Sequence, residues 1–318
     1  MPEITHRTIQ TNGINMHIAV AGSGPLVILC HGFLESWYSW RHQLSGLAEA
    51  GYHVVAPDQR GYGQTDKPEG IDKYTQLHMV GDIVGLLDAL GDKTATVVGH
   101  DWGAPVAWNA AMMRPDRFPA VVGMSVPFGP RGDIKPTEGM KMMFGDNFFY
   151  ILYFQEPGVA EAELEADVDR TMRGILYGAS GDAPRPAEPP APRPAATTKF
   201  TDGFAVPEKL PAWLTEEDAQ FFVNEFKRTG FRGGLNWYRN LDRTWEMTAA
   251  WRGAKVTVPA LFITGEKDGV RAFAPEAGIR DNVPNLKDLI VVPGAGHWVQ
   301  QERPKEVNEA LIKFLKSL

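Results

Sequence analysis

An aspartate between two glycines constrains this chain more than any other feature. Residues 94–98 are a short apolar run that is typical of a buried parallel strand, and the sequence Gly-His-Asp-Trp-Gly follows at 99–103. A segment of helical composition then starts at Pro105. Flanking glycines permit a sharp turn from strand to helix, which lifts the middle side chain above the sheet edge. The pattern predicts an α/β fold with Asp101 beside a helix N-terminus, whose dipole favours the ionised carboxylate.

Further apolar runs predict the rest of the sheet. The early runs are separated by segments of helical length and period, such as Met79–Leu90, and this alternation is typical of a parallel sheet covered by helices on both faces. Before them, Asn12-Gly13 separates two strand-like segments and predicts an N-terminal antiparallel hairpin. An amphipathic helix is expected from Pro304 to the end. The predicted buried strands are 26–30, 53–56, 94–98, 120–124, 260–263 and 289–292.

The strand pattern is interrupted in the middle of the chain. It stops near Pro127 and resumes near Val256, and the sequence between them is rich in aromatic and helix-forming residues. We therefore expect a core made of residues 1–129 and 251–318, with a mainly helical cap at 130–250. Residues 183–194 contain six prolines, so we expect an extended loop there.

Composition excludes several classes of function. The net charge is 32 − 39 = −7 and the charges are scattered, which disfavours nucleic-acid binding. The single cysteine, Cys30, excludes an intramolecular disulfide and a cysteine-rich metal site. The first residues lack a secretory signal and no uncharged apolar run reaches membrane-spanning length, so a cytoplasmic location is the default expectation.

An aspartate nucleophile limits the chemistry that can follow. Attack by a carboxylate on an acyl carbon would give a reactive anhydride, whereas attack on a saturated carbon gives an ester that water can hydrolyse. The expected electrophile is therefore an sp3 carbon that bears oxygen or halide. The alternative is that Asp101 only caps the helix, although its position in a strand-turn-helix segment favours the catalytic interpretation.

Hydrolysis of the ester requires an activated water. In this arrangement an acid and then a histidine follow the nucleophile along the chain. Asp268 comes just after the predicted strand 260–263, and His297 comes after the predicted strand 289–292, so both lie where α/β sheets place their sites. We interpret His297 as the base and Asp268 as its partner, with Glu266 as the alternative acid.

Two backbone N–H groups are expected to stabilise the oxyanion. One is that of Trp102, the residue after the nucleophile, because this N–H usually faces the developing charge. The other is that of Phe33, in the loop that follows the first buried strand. His31-Gly32 could also be an ordinary turn at the end of that strand.

With these residues in view, the chain resembles the epoxide hydrolases of the α/β-hydrolase superfamily from Gly13 to Phe314. The matching segments are His-Gly-Phe at 31–33, Asp-Gln-Arg-Gly-Tyr-Gly at 58–63, Gly-His-Asp-Trp-Gly at 99–103, Gly-Glu-Lys-Asp at 265–268 and Gly-His at 296–297. The resemblance implies an α/β-hydrolase fold with an inserted helical cap. It also implies conversion of an epoxide to a vicinal diol.

The resemblance further implies a pair of cap tyrosines. The family pattern places them at Tyr150 and Tyr238, with Tyr153 as the alternative to the first. Phenols with pKa values near 10 stay protonated at neutral pH and can donate to the departing epoxide oxygen. The sequence departs from the family at Leu34, where a proline in a cis peptide is common. Because a cis peptide before a non-proline residue costs ~3 kcal/mol, a trans Phe33–Leu34 bond and a slightly re-aimed oxyanion loop are expected.

Two other functions are alternatives to this one. A haloalkane dehalogenase would need a second side-chain N–H donor for the halide, and Phe33 stands at that position. A non-catalytic small-molecule receptor on this fold predicts loss of part of the site, yet Asp101, His297 and the tyrosines are all present. The expected partners are a small apolar epoxide and water, with no metal, organic cofactor, nucleic acid or membrane. A homodimer is left open, and the sequence does not identify the epoxide.

Overall fold

The fold is built on one eight-stranded sheet. The computed structural model describes residues 2–185 and 191–318. Along the sheet, the strands follow the order β1-β2-β4-β3-β5-β6-β7-β8. Their bounds are β1 Thr5–Thr11, β2 Ile14–Ala21, β3 Leu26–Cys30, β4 His53–Pro57, β5 Thr96–His100, β6 Ala120–Met124, β7 Ala260–Gly265 and β8 Leu286–Val292.

Most of the sheet is parallel, as the sequence predicted. Strands β4, β3, β5, β6, β7 and β8 pair in parallel, while β1 pairs with β2 and β2 with β4 in antiparallel register. The predicted hairpin turn is present at Asn12-Gly13, where φ is 45° and 77°. Every residue of β3, β5 and β6 is buried, which explains why these strands read as continuous apolar runs.

Helices cover both faces of the sheet. Alternate strand residues such as Val27 and Leu29 pack with α1 and α13, whereas Leu26 and Ile28 belong to the core shared with α2 and α3. The helices are α1 Arg41–Glu49, α2 Gln76–Leu90, α3 Gly103–Met113, α4 Pro136–Phe144, α5 Tyr150–Tyr153, α6 Val159–Ala166, α7 Val168–Gly178, α8 Glu216–Thr229, α9 Arg232–Arg239, α10 Leu241–Met247, α11 Ile279–Asn282, α12 Val299–Glu302 and α13 Pro304–Leu315. Short 3-10 turns occupy Trp37–Trp40, Ile71–Tyr74, Phe200–Gly203, Ala249–Trp251 and Gly269–Ala272.

Helices α4 to α10 lie between β6 and β7 in the chain, where the sequence predicts a cap. Hydrogen bonds tie them to the sheet-bearing part: the indole of Trp237 donates to the Arg60 carbonyl at 3.1 Å, and Asn240 Nδ2 donates to the Ile71 carbonyl. The domain limits at 129/130 and 250/251 stay a prediction.

The proline-rich segment falls partly outside the described residues, which resume at 191. Residues 183–185 and 191–193 form neither helix nor strand, in line with the expected loop. Within the described parts of the chain, no helix is both long and apolar enough to cross a membrane.

Candidate active site

Asp101 sits at the turn between β5 and α3. Its φ of 49° is in the left-handed region, a backbone conformation that residues other than glycine rarely adopt. The flanking glycines allow close packing around this turn: a Cβ at Gly103 would overlap the carbonyl oxygen of Cys30, and one at Gly99 would overlap that of Gly103. Strand β5 ends two residues later than predicted, because Gly99 and His100 still pair with β6.

His297 bridges two carboxylates. Its Nε2 lies 3.5 Å from Asp101 Oδ2, and its Nδ1 lies 3.1 Å from Asp268 Oδ1 and 3.3 Å from Oδ2. Asp268 follows β7 and also accepts the Val270 N–H at 2.9 Å, which fixes its carboxylate. Glu266, the alternative acid, instead accepts the Gly294 N–H. The structure thus brings Asp101, His297 and Asp268 together in the order that the sequence suggested.

This arrangement shifts the pKa values of all three groups. Burial alone would lower the pKa of His297, but the charges of Asp268 and Asp101 raise it well above 6.5. Burial alone would raise the pKa of Asp101, but the hydrogen bond and charge of His297 outweigh it and lower the pKa. The pKa of Asp268 is lowered against burial by the same histidine. Both carboxylates are therefore ionised at neutral pH.

The loop after β3 also contacts Asp101. The N–H of Phe33 donates to Asp101 Oδ1 at 2.6 Å. Leu34 is buried with a φ of 64°, and no cis peptide bond occurs among the described residues, so the Phe33–Leu34 bond is trans. The Phe33 N–H nevertheless faces the carboxylate. The oxyanion role of the Trp102 N–H stays a prediction.

Two tyrosines from the cap face Asp101. The rings of Tyr150 and Tyr238 lie 5.9 Å apart, and both line the cavities that reach the Asp101 carboxylate. Burial first, and then nearby negative charge, raises the pKa of each phenol, so both stay protonated. Tyr153 instead donates from its hydroxyl to Glu163 at 2.7 Å. Of the two candidates for the first tyrosine, Tyr150 is the one at the cavity.

Two cavities of similar size meet at Asp101. One measures about 280 Å³ and the other about 290 Å³, and both are lined mainly by apolar side chains. They share Asp101, Tyr150 and Tyr238, as well as Val270 and Phe273. A substrate whose reactive carbon lies at Asp101 can therefore extend in two directions.

The sequence reasoning missed a buried network beside Asp101. Glu35 Oε2 accepts the Gly32 N–H at 2.6 Å and lies 2.8 Å from His100 Nδ1. The other oxygen, Oε1, accepts from Gln300 Nε2 at 2.8 Å. Both Glu35 and His100 side chains are fully buried. Glu35 thus links the loop after β3 to the end of β5.

The same network reaches His297. His100 Nε2 lies 2.7 Å from the His297 carbonyl oxygen, which also accepts from the Ser125 hydroxyl at 3.1 Å. Ser125, directly after β6, has a φ of 66° and so is also in the left-handed region. The sequence held one indication of this network, which is the histidine at position 100 inside the glycine-flanked turn. Its partners could not be predicted because they are far away in the sequence.

The comparisons with known proteins agree with this geometry. The α/β-hydrolase fold family matches residues 25–304. The chain is 48% identical to epoxide hydrolase A of Mycobacterium tuberculosis over 99% of this chain and 98% of the relative. It is 46% identical to epoxide hydrolase 1 of Siraitia grosvenorii, with 99% of each chain covered. The chain belongs to the epoxide hydrolase family of the α/β-hydrolase fold.

Solved structures of the epoxide hydrolase family share the whole architecture. The crystal structure of epoxide hydrolase A from Mycobacterium thermoresistibile superposes with a TM-score of 0.94 at 48% identity, covering 99% of this chain and 98% of that one. An epoxide hydrolase from an endophytic Streptomyces gives 0.92 at 46% identity, covering 98% and 95%. The resemblance seen in the sequence motifs is confirmed over the full length.

The geometry also bears on the dehalogenase alternative. Phe33, which stands where a second side-chain N–H donor would be needed, packs its ring against Phe154 and Tyr238 at centroid distances of 5.5 and 5.0 Å. Phe33 therefore supplies no side-chain N–H group that could hold a halide together with the indole of Trp102. Across residues 2–185 and 191–318, no group of three or more His, Cys, Asp or Glu side chains could hold a metal ion.

Proposed function

We propose that this protein hydrolyses a small apolar epoxide to a vicinal diol through an ester on Asp101. The observation that carries the proposal is the placement of one carboxylate between the His297–Asp268 pair and the hydroxyl-bearing rings of Tyr150 and Tyr238. The two tyrosines can protonate the oxygen when the epoxide opens, and the His297–Asp268 pair can activate the water that hydrolyses the ester. The apolar cavities on both sides favour a substrate with apolar substituents.

In the first step, an Asp101 oxygen attacks one carbon of the epoxide ring. A new C–O bond forms while the ring C–O bond breaks, and the ring oxygen takes a proton from Tyr150 or Tyr238. Because the pKa of each phenol is raised by burial, the proton moves only when a strongly basic alkoxide develops. The product is a hydroxyalkyl ester of Asp101.

In the second step, His297 takes a proton from water, and the hydroxide attacks the Asp101 carbonyl carbon. Esterification removes the negative charge of Asp101, which is one of the two charges that raise the pKa of His297. The pKa therefore falls after the first step, and the imidazolium returns a proton to the tyrosinate, so that His297 is neutral when a base is needed. The Phe33 and Trp102 N–H groups hold the oxyanion. Cleavage of the ester bond then releases the diol as an alkoxide, which takes a proton from His297. The Asp101 carboxylic acid gives its proton to the neutral imidazole, and this restores the starting carboxylate and imidazolium.

A single turnover in 18O-water tests this route. With enzyme in excess over an aryl or alkyl epoxide, we expect the label in the Asp101 carboxylate and an unlabelled first diol, because the new diol oxygen comes from Asp101. Peptide mass spectrometry locates the label. In His297→Gln, the ester should accumulate with a mass increase equal to that of the epoxide.

Other outcomes would replace the proposal. Label that enters the diol directly in the first turnover would show that water attacks the epoxide without an ester. Release of halide from chloroalkanes, with no diol from epoxides, would assign the site to a dehalogenase.

We also infer a cytoplasmic location, which cell fractionation checks, and a membrane-bound fraction would contradict it. Sedimentation of the purified protein decides whether the chain forms a homodimer.

A further inference from the structure

Gln76 is the first residue of α2 and lines one of the two cavities that meet at Asp101. Its residue exposure is 7%, and its amide nitrogen Nε2 is buried without a protein acceptor. Among the described residues that line this cavity, Gln76 is the one with a buried side-chain polar atom that lacks a partner.

The surroundings of Gln76 make this donor unusual. The cavity wall is otherwise largely apolar, with Met79, Ile151 and Leu241 among the lining residues. The backbone N–H of Gln76 is satisfied, since it donates to the Thr244 hydroxyl at 3.2 Å. The amide of Asn109, which lines the same cavity, is also satisfied because its Nδ2 donates to the Pro105 carbonyl at 2.8 Å. Of these two side-chain amides in the cavity wall, that of Gln76 is the one whose nitrogen has no acceptor.

We propose that Gln76 determines specificity in the cavity that it lines, by donating from Nε2 to a hydrogen-bond acceptor on a substituent of the epoxide. This inference rests on the proposed function and adds the class of substituent, a carbonyl or ether oxygen on an otherwise apolar arm. A buried amide without a partner is unfavourable in the free protein, and an acceptor on the substrate restores the missing bond. Substrates that lack the acceptor leave the amide unpaired.

The test uses a ladder of paired substrates. Each pair is a 1,2-epoxyalkane with a ketone at one chain position and the same compound with CH₂ in its place. Ketones accept but do not donate hydrogen bonds, so they report on the Gln76 donor. We measure kcat/KM for both members with the wild-type protein and with Gln76→Leu.

At one or more positions of the ladder, the wild-type protein should favour the ketone over its CH₂ partner. Gln76→Leu should reduce this preference about tenfold, as for one neutral hydrogen bond, with the change mainly in the ketone member. Its thermal midpoint should be unchanged or higher than that of the wild type, because the variant removes an unpaired buried group. Gln76→Glu, which replaces the donor by an acceptor of the same shape, should disfavour the ketone further.

Gln301→Leu is the matched control, because Gln301 is another buried glutamine whose Nε2 lacks a partner, but it does not line either of the two cavities. Its ketone preference should equal that of the wild type. The inference is overturned if no ladder position shows a preference that Gln76→Leu reduces. It is also overturned if Gln76→Leu lowers stability and leaves selectivity intact, since Gln76 would then be structural. Failure to hydrolyse the plain epoxyalkanes would instead contradict the proposed function.

Discussion

His297 illustrates how single residues set the chemistry of this site. Each ring nitrogen faces one carboxylate, that of Asp101 on Nε2 and that of Asp268 on Nδ1. These charges favour the imidazolium in the free protein, although burial opposes it. The proposed mechanism requires the same residue to be neutral when it activates water. In the proposed mechanism this conflict is resolved because the first step itself neutralises Asp101.

The raised pKa of His297 predicts a pH-dependent stability. A group whose pKa is raised on folding stabilises the fold fully below its unfolded pKa of 6.5, and this contribution is lost as pH rises through the folded pKa. Thermal midpoints of the wild type should therefore decline above pH 6.5. His297→Gln should remove this part of the decline. His78→Gln is the control: burial lowers the pKa of His78, so its loss should leave the decline in place.

Tyrosine substitutions test the first chemical step. Tyr150→Phe and Tyr238→Phe should each slow formation of the Asp101 ester by about 10- to 100-fold, since each removes one donor to the departing oxygen. Rapid-quench single turnovers measure this rate. Tyr153→Phe is the matched control, because its hydroxyl binds Glu163 and not the cavity, and it should leave the rate within about twofold. An equal effect of all three changes would contradict the assignment.

At the scale of elements, the turn between β5 and α3 depends on close packing of backbone. Asp101 holds a left-handed conformation there, which costs roughly 1 kcal/mol or more in isolation. Gly103 lets the start of α3 approach the end of β3, where the Cys30 carbonyl lies. Sequence patterning predicted the turn, but the approach of β3 is a tertiary contact.

Gly103→Ala should therefore destabilise the protein by about 1–3 kcal/mol and displace the nucleophile, because the new Cβ would overlap backbone and not a movable side chain. Denaturant unfolding and kcat measure the two effects. Gly139→Ala provides the contrast: Gly139 lies inside α4, and a Cβ there would meet nothing within 4 Å. It should stabilise by about 0.5–1 kcal/mol. Equal behaviour of the two variants would show that the close approach is unimportant.

At the scale of the whole molecule, the site depends on how the cap helices sit over the sheet. Asp218, near the start of α8, accepts from the Tyr38 hydroxyl at 2.9 Å and lies 3.1 Å from Arg41 Nε. Its other oxygen accepts from Thr215, which caps the same helix. One carboxylate thus joins the cap to the first helical segment of the core.

Asp218→Ala should cost about 1–3 kcal/mol and loosen this junction, since buried donors lose their acceptor. Hydrogen exchange should become faster both at the start of α8 and around Tyr38. Asp169→Ala is the control, because Asp169 pairs with Arg173 on the same helix and is half exposed. That change should stay within about 0.5 kcal/mol and leave exchange at Tyr38 unaffected. Faster exchange at α8 alone would show that Asp218 only caps its helix.

The parts predicted well were those encoded by local pattern. The hairpin at Asn12-Gly13, the parallel strands, and the final helix from Pro304 follow from turn residues and from periodicity. The order of Asp101, Asp268 and His297 was visible because each follows a strand, and the carboxyl ends of parallel strands meet at one edge. Local pattern could not choose between Tyr150 and Tyr153, which share a helical face.

The sequence by itself determined the type of fold and the chemical types of the groups at its site, because hydrophobic period and turn residues act over a few positions. Only the tertiary structure turned Tyr150 rather than Tyr153 toward Asp101, joined Glu35 to His100, and left the Gln76 amide in a cavity without a protein acceptor. These outcomes depend on tertiary contacts between side chains that are far apart in the sequence. The packing of the helices on the sheet decides which of these contacts form, and burial makes each unpaired polar group there unfavourable.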